Sequence, residues 1–442
     1  MRKLKRWSFA VCLICLMLDL VGCAMTVEQM YCIPRRSERY ENLQTLIDQT
    51  MGTMDYSAPT AGENQQTVQM ADLDGDGNSE VILFAKGGEE NPLKILLFTP
   101  SEEDYDYLTS IESPGSGFDQ VEYAQMDGKP GLELIVGRQV SDQVLRNVCV
   151  YSFADGQVSQ LMNANYVKFL TCDLNRDELA DLFVIHPGVE AGERALAELY
   201  SMRRGEVERS AEAELSASVE HLKRIVTGTL ESSEAAVYVA STAGEESIIT
   251  DVFAMVNGSF TNVSFSNESG TSVKTLRNYY VYADDIDSDG VVELPDLITM
   301  QFPQESQAAA KQHLIRWYSM TSNATEVDKL YTYHNFPEGW YLELEEELAR
   351  RTFVLKGTDG GHQFSLWDES GTKNQLAFTV YMLTGDDRLA VTEREDLTEI
   401  LKTDNVVFAA RLEPAAAEYG ITIQQLSDCF RLIQQDWKTG EM

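Results

Sequence analysis

Basic residues are scarce in this chain of 442 residues: 35 lysines and arginines stand against 71 aspartates and glutamates, for a formal net charge of −36. A surface with that excess of negative charge repels nucleic acids and anionic lipids. We therefore expect no nucleic-acid partner. The same field favours cations, and most of the carboxylates are expected to be solvated.

Histidines and enzyme signatures are scarce as well. The five histidines are His186, His221, His313, His334 and His362, and none shares a motif with another histidine or with a cysteine. Transition-metal chemistry therefore has little support. The sequence also lacks a GxSxG motif, an HExxH motif and a phosphate-binding glycine loop. Whether the chain is an enzyme stays open, and a non-enzymatic role is favoured.

Long apolar runs are absent beyond the N-terminus, which reads as a signal peptide over residues 1–22. A positive start is followed by an apolar stretch, Phe9 to Leu18, and by Leu20-Val21-Gly22-Cys23. This resembles bacterial lipoprotein precursors. The resemblance implies lipid on Cys23 and a protein anchored to the bacterial cell membrane on its extracytoplasmic side. An ordinary cleaved secretory signal and an uncleaved anchor are the alternatives, although the run is short for a membrane span.

Four of the seven cysteines remain beyond Cys23, and no two form a CxxC pair. A bridge between Cys149 and Cys172 suits an export compartment, but spacing alone does not decide it.

A nine-residue acidic pattern occurs three times, each time followed by an apolar strand. Side chains with oxygen atoms recur at positions 1, 3, 5 and 9, and the carbonyl at position 7 can complete the shell of a hard cation. All these ligands are oxygens, so calcium is the expected ion. The residues at positions 1, 3, 5, 7 and 9 are Asp72, Asp74, Asp76, Asn78 and Glu80; Asp173, Asn175, Asp177, Leu179 and Asp181; and Asp285, Asp287, Asp289, Val291 and Glu293.

The alternative to a metal loop is an acidic β-turn that binds no ion. The second copy is the weaker candidate, because Glu178 stands where a glycine would ease a left-handed backbone. We expect calcium at the first and third copies and weaker binding at the second. An EF-hand needs its last ligand at position 12, where only the third copy has an acid, Asp296. Pro295 argues against the helix that an EF-hand-like or dockerin-like loop would need there.

At these residues the chain resembles the FG-GAP/VCBS repeats of integrin-like β-propellers, over about residues 64–334. In that family such a loop joins the first two strands of a blade. Two degenerate copies extend the series. The copy at Gln125 has Lys129 at a ligand position and should bind nothing, and the copy near Gly228 is weaker still. Loop starts at 72, 125, 173, 228 and 285 give intervals of 53, 48, 55 and 57 residues.

Four strand signals recur in each interval, which predicts a mainly β fold: a β-propeller of five four-stranded blades over 64–334. Six or seven blades would fit if one blade carries no recognisable loop, and a β-sandwich is the structural alternative. Residues 23–63 are expected to form a tether with a short helix, Glu38 to Met51. Residues 335–442 are expected to form a small α+β domain, distantly similar to the PsbP-like fold, with strands from Trp340 onward and a terminal helix over Thr422–Trp437.

Two functions from different classes follow. The first is a surface-exposed, calcium-stabilised binding or scaffold lipoprotein with a glycan or protein ligand. The second is an extracytoplasmic hydrolase acting on polysaccharide, with its site in the propeller channel, which needs a placed pair of carboxylates. The aromatic cluster of Tyr331, Tyr333, Phe336, Trp340 and Tyr341 lines a ligand groove in one interpretation and forms the core between the two domains in the other. The sequence identifies neither the ligand nor the oligomeric state.

Overall fold

The computed structural model describes residues 38–102, 104–140, 146–154, 156–188, 194–245, 247–279, 281–303, 313–389 and 394–434. The predicted signal peptide, the lipidation site Cys23 and residues beyond 434 lie outside these ranges. The described chain is mainly β, and its strands form six antiparallel sheets. It divides into two compact units.

The first unit comprises Gln66–Asp72, Gly77–Pro114 and the described residues up to Ala58. Helix α1 (Glu38–Met51) has the predicted limits and packs Leu43, Ile47 and Met51 on the first sheet. These three residues recur every four positions, so they share one face of the helix. In the sheet, β1 and β2 both pair with β3, followed by β4 and β5. The strands are β1 (Asp55–Tyr56), β2 (Val68–Ala71), β3 (Glu80–Lys86), β4 (Leu93–Pro100) and β5 (Tyr105–Ser113).

The second unit contains the other five sheets. In the second, third and fourth sheets, strands adjacent in sequence are also adjacent in space, which confirms the predicted four-strand repeat. The second sheet holds β6 (Gly117–Ala124), β7 (Glu133–Gln139), β8 (Arg146–Ala154) and β9 (Gln157–Tyr166). The third holds β10 (Lys168–Cys172), β11 (Asp181–His186), β12 (Leu196–Arg203) and β13 (Glu206–Glu214). The fourth holds β14 (Leu222–Thr229), β15 (Ala235–Thr242), β16 (Ile248–Val256) and β17 (Ser259–Asn262).

The strands that follow the loops at Asp72, Gln125 and Asp173 are buried on both faces. Strand β3 has six consecutive buried residues, and β7 has the same pattern. A strand in the interior of a sheet that is covered on both sides reads as a continuous apolar run rather than an alternating one. The runs that flank the loops in the sequence therefore predict their strands correctly.

The fifth sheet departs from the prediction at both ends. It holds β18 (Leu294–Thr299), β19 (His313–Met320), β20 (Glu326–Asn335), β21 (Trp340–Leu344) and the distant β27 (Phe430–Leu432). No described strand of this sheet precedes the third loop, where Asp284 forms only an isolated bridge with Glu293. The backbone just upstream pairs with the fourth sheet instead, through Arg277 and Ile248. Strand β21, which we assigned to the C-terminal domain, pairs with β20, so the boundary after residue 334 passes through a hairpin.

The C-terminal sheet has the order β22-β23-β24-β26-β25. Helix α3 begins at an N-cap, Thr422, which forms a capping box with Gln425. The predicted helix over Thr422–Trp437 is too long: α3 ends at Cys429, because Phe430 turns into strand β27 and stacks on Trp340 with ring centroids 5.2 Å apart. The elements are α2 (Glu346–Ala349), β22 (Thr352–Lys356), β23 (His362–Trp367), β24 (Asn374–Thr384), β25 (Thr398–Lys402), β26 (Val406–Leu412) and α3 (Ile423–Cys429).

Within the second unit, apolar cores join consecutive sheets. One core holds Ile135 of the second sheet and Val184 of the third, and the next holds Phe183 and Val239 of the third and fourth. A further core joins the fourth and fifth sheets, and a fourth core joins the fifth sheet to the C-terminal one. Each sheet is therefore held by its neighbours in sequence.

Candidate metal centres and a polar pocket

Four nine-residue loops connect paired strands or bridge residues in the same register. In each, the residue before position 1 pairs with the residue at position 9. The four pairs are Ala71 with Glu80, Ala124 with Glu133, Cys172 with Asp181, and Asp284 with Glu293. The fourth repeat near Gly228 lacks this loop, because Thr229 pairs directly with Ala235 across a short turn. The spacing in the sequence thus corresponds to one recurring backbone arrangement.

The acid at position 9 is buried in all four loops: Glu80, Glu133, Asp181 and Glu293 are exposed by only 1%, 4%, 2% and 0%. In two of them it accepts the backbone N–H of position 2, from Met126 to Glu133 Oε2 at 2.8 Å and from Ile286 to Glu293 Oε2 at 3.1 Å. Burial raises the pKa of Glu133 and of Asp181. A buried acid is costly to ionise unless something compensates its charge.

The third loop gathers its carboxylates. Oxygens of Asp285, Asp287 and Asp289 lie within 4.8 Å of one another. The Asp285 carboxylate accepts hydrogen bonds from the backbone N–H groups of Asp289 and Gly290, both at 2.9 Å, and these bonds hold the loop in a turn. Ser288 and Gly290 take positive φ angles of 63° and 86°, and the glycine adopts that conformation without steric cost. The loop therefore presents three converging carboxylates above a buried fourth, Glu293.

The two carboxylate oxygens of Glu293 have different surroundings. Its Oε2 accepts the Ile286 N–H, whereas its Oε1 is buried without a hydrogen-bond partner. Burial, followed by repulsion from Asp287, Asp289 and Asp285, raises the pKa of Glu293 to about 8. A hard divalent cation would supply the charge and the ligation that this oxygen lacks, and the donors are all oxygens, as calcium prefers. Lys329 compensates only at the rim, with its Nζ 3.4 Å from Asp289 and 2.8 Å from Glu231.

The first loop shows a related arrangement. The Gly77 N–H donates to Asp72 Oδ2 at 3.0 Å, and the Asp76 N–H donates to Asp74 Oδ1 at 3.1 Å. Position 7 is Asn78, as in the predicted ligand set. The predicted carboxylates at positions 1 and 3 thus accept backbone N–H groups of their own loop, as Asp285 does in the third.

The second loop closes on itself instead. Asp173 accepts the backbone N–H groups of Arg176, Asp177 and Glu178 at 2.6, 3.2 and 3.0 Å. No three carboxylates converge among the described residues of this loop. The Asn175 amide donates to Asp177 at 3.0 Å, and Glu178 has the left-handed φ of 69° that the sequence led us to expect. Asp181 accepts a hydrogen bond from Ser201 at 2.5 Å, while position 7, Leu179, donates its N–H to Asp177 at 3.0 Å.

The loop at Gln125 has the same backbone register, but two of its ligand positions carry nitrogen donors, Gln125 and Lys129. The Gln125 amide nitrogen donates to the carbonyl of Gly131, at position 7, at 2.7 Å and also to the carbonyl of Lys129. The Lys129 ammonium lies 2.6 Å from Asp127 Oδ2. Two nitrogen donors thus contact oxygens that would face a cation in the other loops.

A pocket of about 330 Å³ lies between the last strands of the fifth sheet and the C-terminal sheet. Sequence reasoning singled out His334 and Phe336 here, but it missed Glu338, Lys356 and His362. These three come together only through folding. The residues that line the pocket are Tyr279, Leu297, His313, Ile315, Tyr333, His334, Asn335, Phe336, Pro337, Glu338, Lys356 and His362.

The predicted aromatic cluster is divided by this pocket. Tyr333 and Phe336 line it, whereas Trp340 is fully buried in the core shared with the C-terminal sheet. Burial of the His334 ring lowers its pKa to about 3, so this imidazole is neutral and forms a wall stacked on Tyr341, with centroids 4.9 Å apart. The core interpretation is confirmed for Tyr331, Tyr333 and Trp340, which lie in the core shared with the C-terminal sheet, and the ligand-groove interpretation stays a prediction.

Other predicted features carry no chemistry in the structure. The described cysteines, Cys149, Cys172 and Cys429, are free thiols, and burial raises the pKa of each. No helix in the described part of the chain is both long and apolar enough to cross a bilayer.

No family model matches the chain, and no curated protein matches it. Among solved structures, it is similar to the exotype rhamnogalacturonan lyase YesX at 12% identity and a TM-score of 0.28, covering 73% of this chain and 63% of that one. It is also similar to the rhamnogalacturonan lyase YesW, at 11% identity and a TM-score of 0.33, covering 73% of this chain and 62% of that one. A third similar structure is Sqt1 of Saccharomyces cerevisiae, at 10% identity and a TM-score of 0.30, covering 78% of this chain and 97% of that one. The chain spans less than two thirds of both lyases, and similarity this low supports no conclusion about activity.

Proposed function

We propose that this protein is a membrane-anchored, extracytoplasmic lipoprotein whose repeated sheets are stabilised by calcium and serve as a binding or scaffold module. The observation that carries the proposal is the loop at Asp285, where three carboxylates converge and the fourth, Glu293, is buried with one oxygen lacking a partner. Calcium at this loop would join the chain before β18 to the start of the fifth sheet.

The finer fold belongs to the same proposal: the first five sheets are blades of a β-propeller. Three features support it. Consecutive sheets of the second unit share cores, strands in the second, third and fourth sheets are adjacent in sequence order, and four loops repeat one register. Radial repetition of four-stranded sheets is a way to leave only short, protected edges. The blade count stays open, because the fifth sheet has no described strand before its loop.

The calcium proposal is tested by counting ions in the full chain. We expect Asp287→Ala and Asp74→Ala each to lose one bound calcium by calorimetric titration and elemental analysis. Extracellular sites commonly bind with dissociation constants of about 10⁻⁴–10⁻³ M, so each adds on the order of 1 kcal/mol at millimolar calcium. Asp127→Ala is the matched control, because its loop holds Lys129. A full calcium count in both loop variants would refute the proposal.

Membrane anchoring through Cys23 is a separate part of the proposal and rests on the sequence alone. Replacing Cys23 with alanine should move the protein from the membrane fraction to the soluble or secreted fraction. Equal membrane association of the variant and the unaltered protein would reject the lipobox interpretation.

The hydrolase is the weaker function. Glycoside hydrolysis by the usual mechanism uses two carboxylates. Glu338 is the single carboxylate among the described residues of the pocket, and its charge is engaged by His362 and Lys356. We therefore propose that this pocket binds a ligand rather than hydrolysing one, and a hydrolytic site in the propeller channel stays the alternative function.

A further inference from the structure

The pocket beside the fifth sheet concentrates residue types that are rare in this chain. Three of the five histidines line it, together with Lys356, and they face one carboxylate, Glu338. Elsewhere the chain is strongly acidic, with a net charge of −36. The calcium loops do not explain this concentration, since none of the predicted metal ligands lines the pocket.

Glu338 is saturated by its neighbours. Its Oε1 lies 3.0 Å from His362 Nε2 and 3.3 Å from Lys356 Nζ. Its Oε2 accepts from the Asn335 amide at 3.0 Å and from the Trp340 indole at 3.2 Å. A carboxylate offers about four lone-pair sites, so none is left for a ligand. Hydrogen bonds from these groups lower the pKa of Glu338 despite its partial burial, and it stays ionised.

Glu338 therefore acts as a positioning residue for the donors around it. It holds the Lys356 ammonium at the pocket wall, where that side chain remains 61% exposed. An ammonium has three N–H donors, and only one is required by Glu338. A ligand that satisfies the other two must bring acceptor oxygens, and a negatively charged acceptor makes the stronger hydrogen bonds.

Part of the pocket lining is apolar and aromatic. Tyr279 and Phe336 meet edge to face, with ring centroids 5.4 Å apart, and Leu297 and Ile315 continue this surface. Such walls bind the apolar face of a ring, while a few placed polar groups fix its orientation. At about 330 Å³ the pocket is at the small end of ligand sites, so it suits a single ring.

We propose that this pocket binds one carboxylated sugar ring, a uronate unit, with its carboxylate on Lys356 and its C–H face on Tyr279 and Phe336. Phosphate fits less well, because the described lining offers one ammonium and no guanidinium fork or helix N-terminus. The inference names a ligand for the binding module proposed above and rests on that function.

The test is calorimetric titration of the calcium-loaded full chain with galacturonate, galactose, benzoate and inorganic phosphate. We expect galacturonate to bind at least about tenfold more tightly than galactose, which differs in lacking the carboxylate. Lys356→Met should weaken galacturonate binding by about tenfold. Lys373→Met is the matched control and should change nothing, because Lys373 is exposed and does not line the pocket.

Each other outcome rejects the proposal. Equal binding of galactose and galacturonate would remove the carboxylate from recognition, and equal binding of phosphate would leave only a general anion site. Benzoate binding as tight as galacturonate would make the ligand an aromatic carboxylate rather than a sugar. Unchanged binding by Lys356→Met would place the ligand elsewhere. Misfolding is an inadequate explanation of a loss in this variant, because the Lys356 side chain is exposed. The calcium count is measured on the same samples, so failure here is distinguishable from failure of the metal proposal.

Discussion

The loops Asp285–Glu293 and Gln125–Glu133 have the same length and register but opposite interiors. The first gathers three carboxylates above buried Glu293. The second has an amide at position 1 and an ammonium at position 5, and both contact oxygens of their own loop. The same backbone arrangement is therefore compatible with converging carboxylates and with amide and ammonium donors. A cation is needed only where the sequence leaves negative charge without nitrogen donors.

The comparison also explains why an acid persists at position 9 of a loop that should bind no metal. Glu133 accepts the Met126 N–H, as Glu293 accepts that of Ile286. This bond satisfies a buried donor at the start of the loop, and leaving such a donor unpaired would cost about 1–3 kcal/mol. Position 9 thus has a structural role in both loops, and the ligand role is proposed only for Glu293.

The largest expected effect is on the pH dependence of stability in calcium-free protein, and it comes from Glu293. Its pKa is about 8 in the folded state, against an ordinary 4.5. The stabilisation from its bound proton is fully present below pH 4.5 and is lost as the pH rises to 8, on the order of 5 kcal/mol. We expect Glu293→Gln to remove this decline in melting temperature. Calcium should restore stability at pH 8 in the unaltered protein and in Glu133→Gln, but not in Glu293→Gln. An identical decline in Glu293→Gln would contradict this account.

A second difference lies in the glycines. Gly131 has a φ of 101°, and a Cβ there would lie 2.4 Å from the Leu73 carbonyl oxygen. Gly290 has a φ of 86° with nothing within 4 Å of such a Cβ. We expect Gly131→Ala to cost about 3 kcal/mol, from strain and overlap together, and Gly290→Ala only about 1 kcal/mol. Chemical denaturation measures both, and equal losses would mean that the close approach to Leu73 relaxes.

Exchanging the ligand-position side chains of the two loops tests whether these side chains alone decide calcium binding. Gln125→Asp with Lys129→Asp should create a calcium site and add on the order of 1 kcal/mol of stability at millimolar calcium. Asp285→Gln with Asp289→Lys should remove one ion. Elemental analysis and melting with and without chelator measure both. If the first double variant gained no calcium, loop geometry rather than charge would be the deciding factor.

The smallest effect is expected from Asp127→Ala. Its ion pair with Lys129 is formed by a mostly exposed lysine, and such pairs contribute little in water. We expect the melting temperature and the calcium count to stay unchanged within measurement error. Loss of a bound ion would show that this loop holds a cation after all.

Local patterns predicted local structure well. Helix α1 has the predicted limits because its apolar residues recur at the helical period, and the strands after the loops follow from their apolar runs. The left-handed Glu178 and the nitrogen-filled loop at Gln125 were likewise predictable, since both depend on residues within one loop.

Predictions failed where a distant segment competed for the same backbone or core. The apolar period over Thr422–Trp437 favours a helix, yet Phe430 leaves it to pair with β21, and the fifth sheet lacks a described strand before its loop because Arg277 pairs with Ile248.

The sequence by itself therefore determined the loops, their spacing and the strands beside them, because each depends on contacts within a few residues. Only the tertiary structure decided which of the carboxylates converge and that Glu338, Lys356 and His362 share one pocket. These groups are brought together by strand pairing and sheet packing, and one-dimensional spacing carries no record of either.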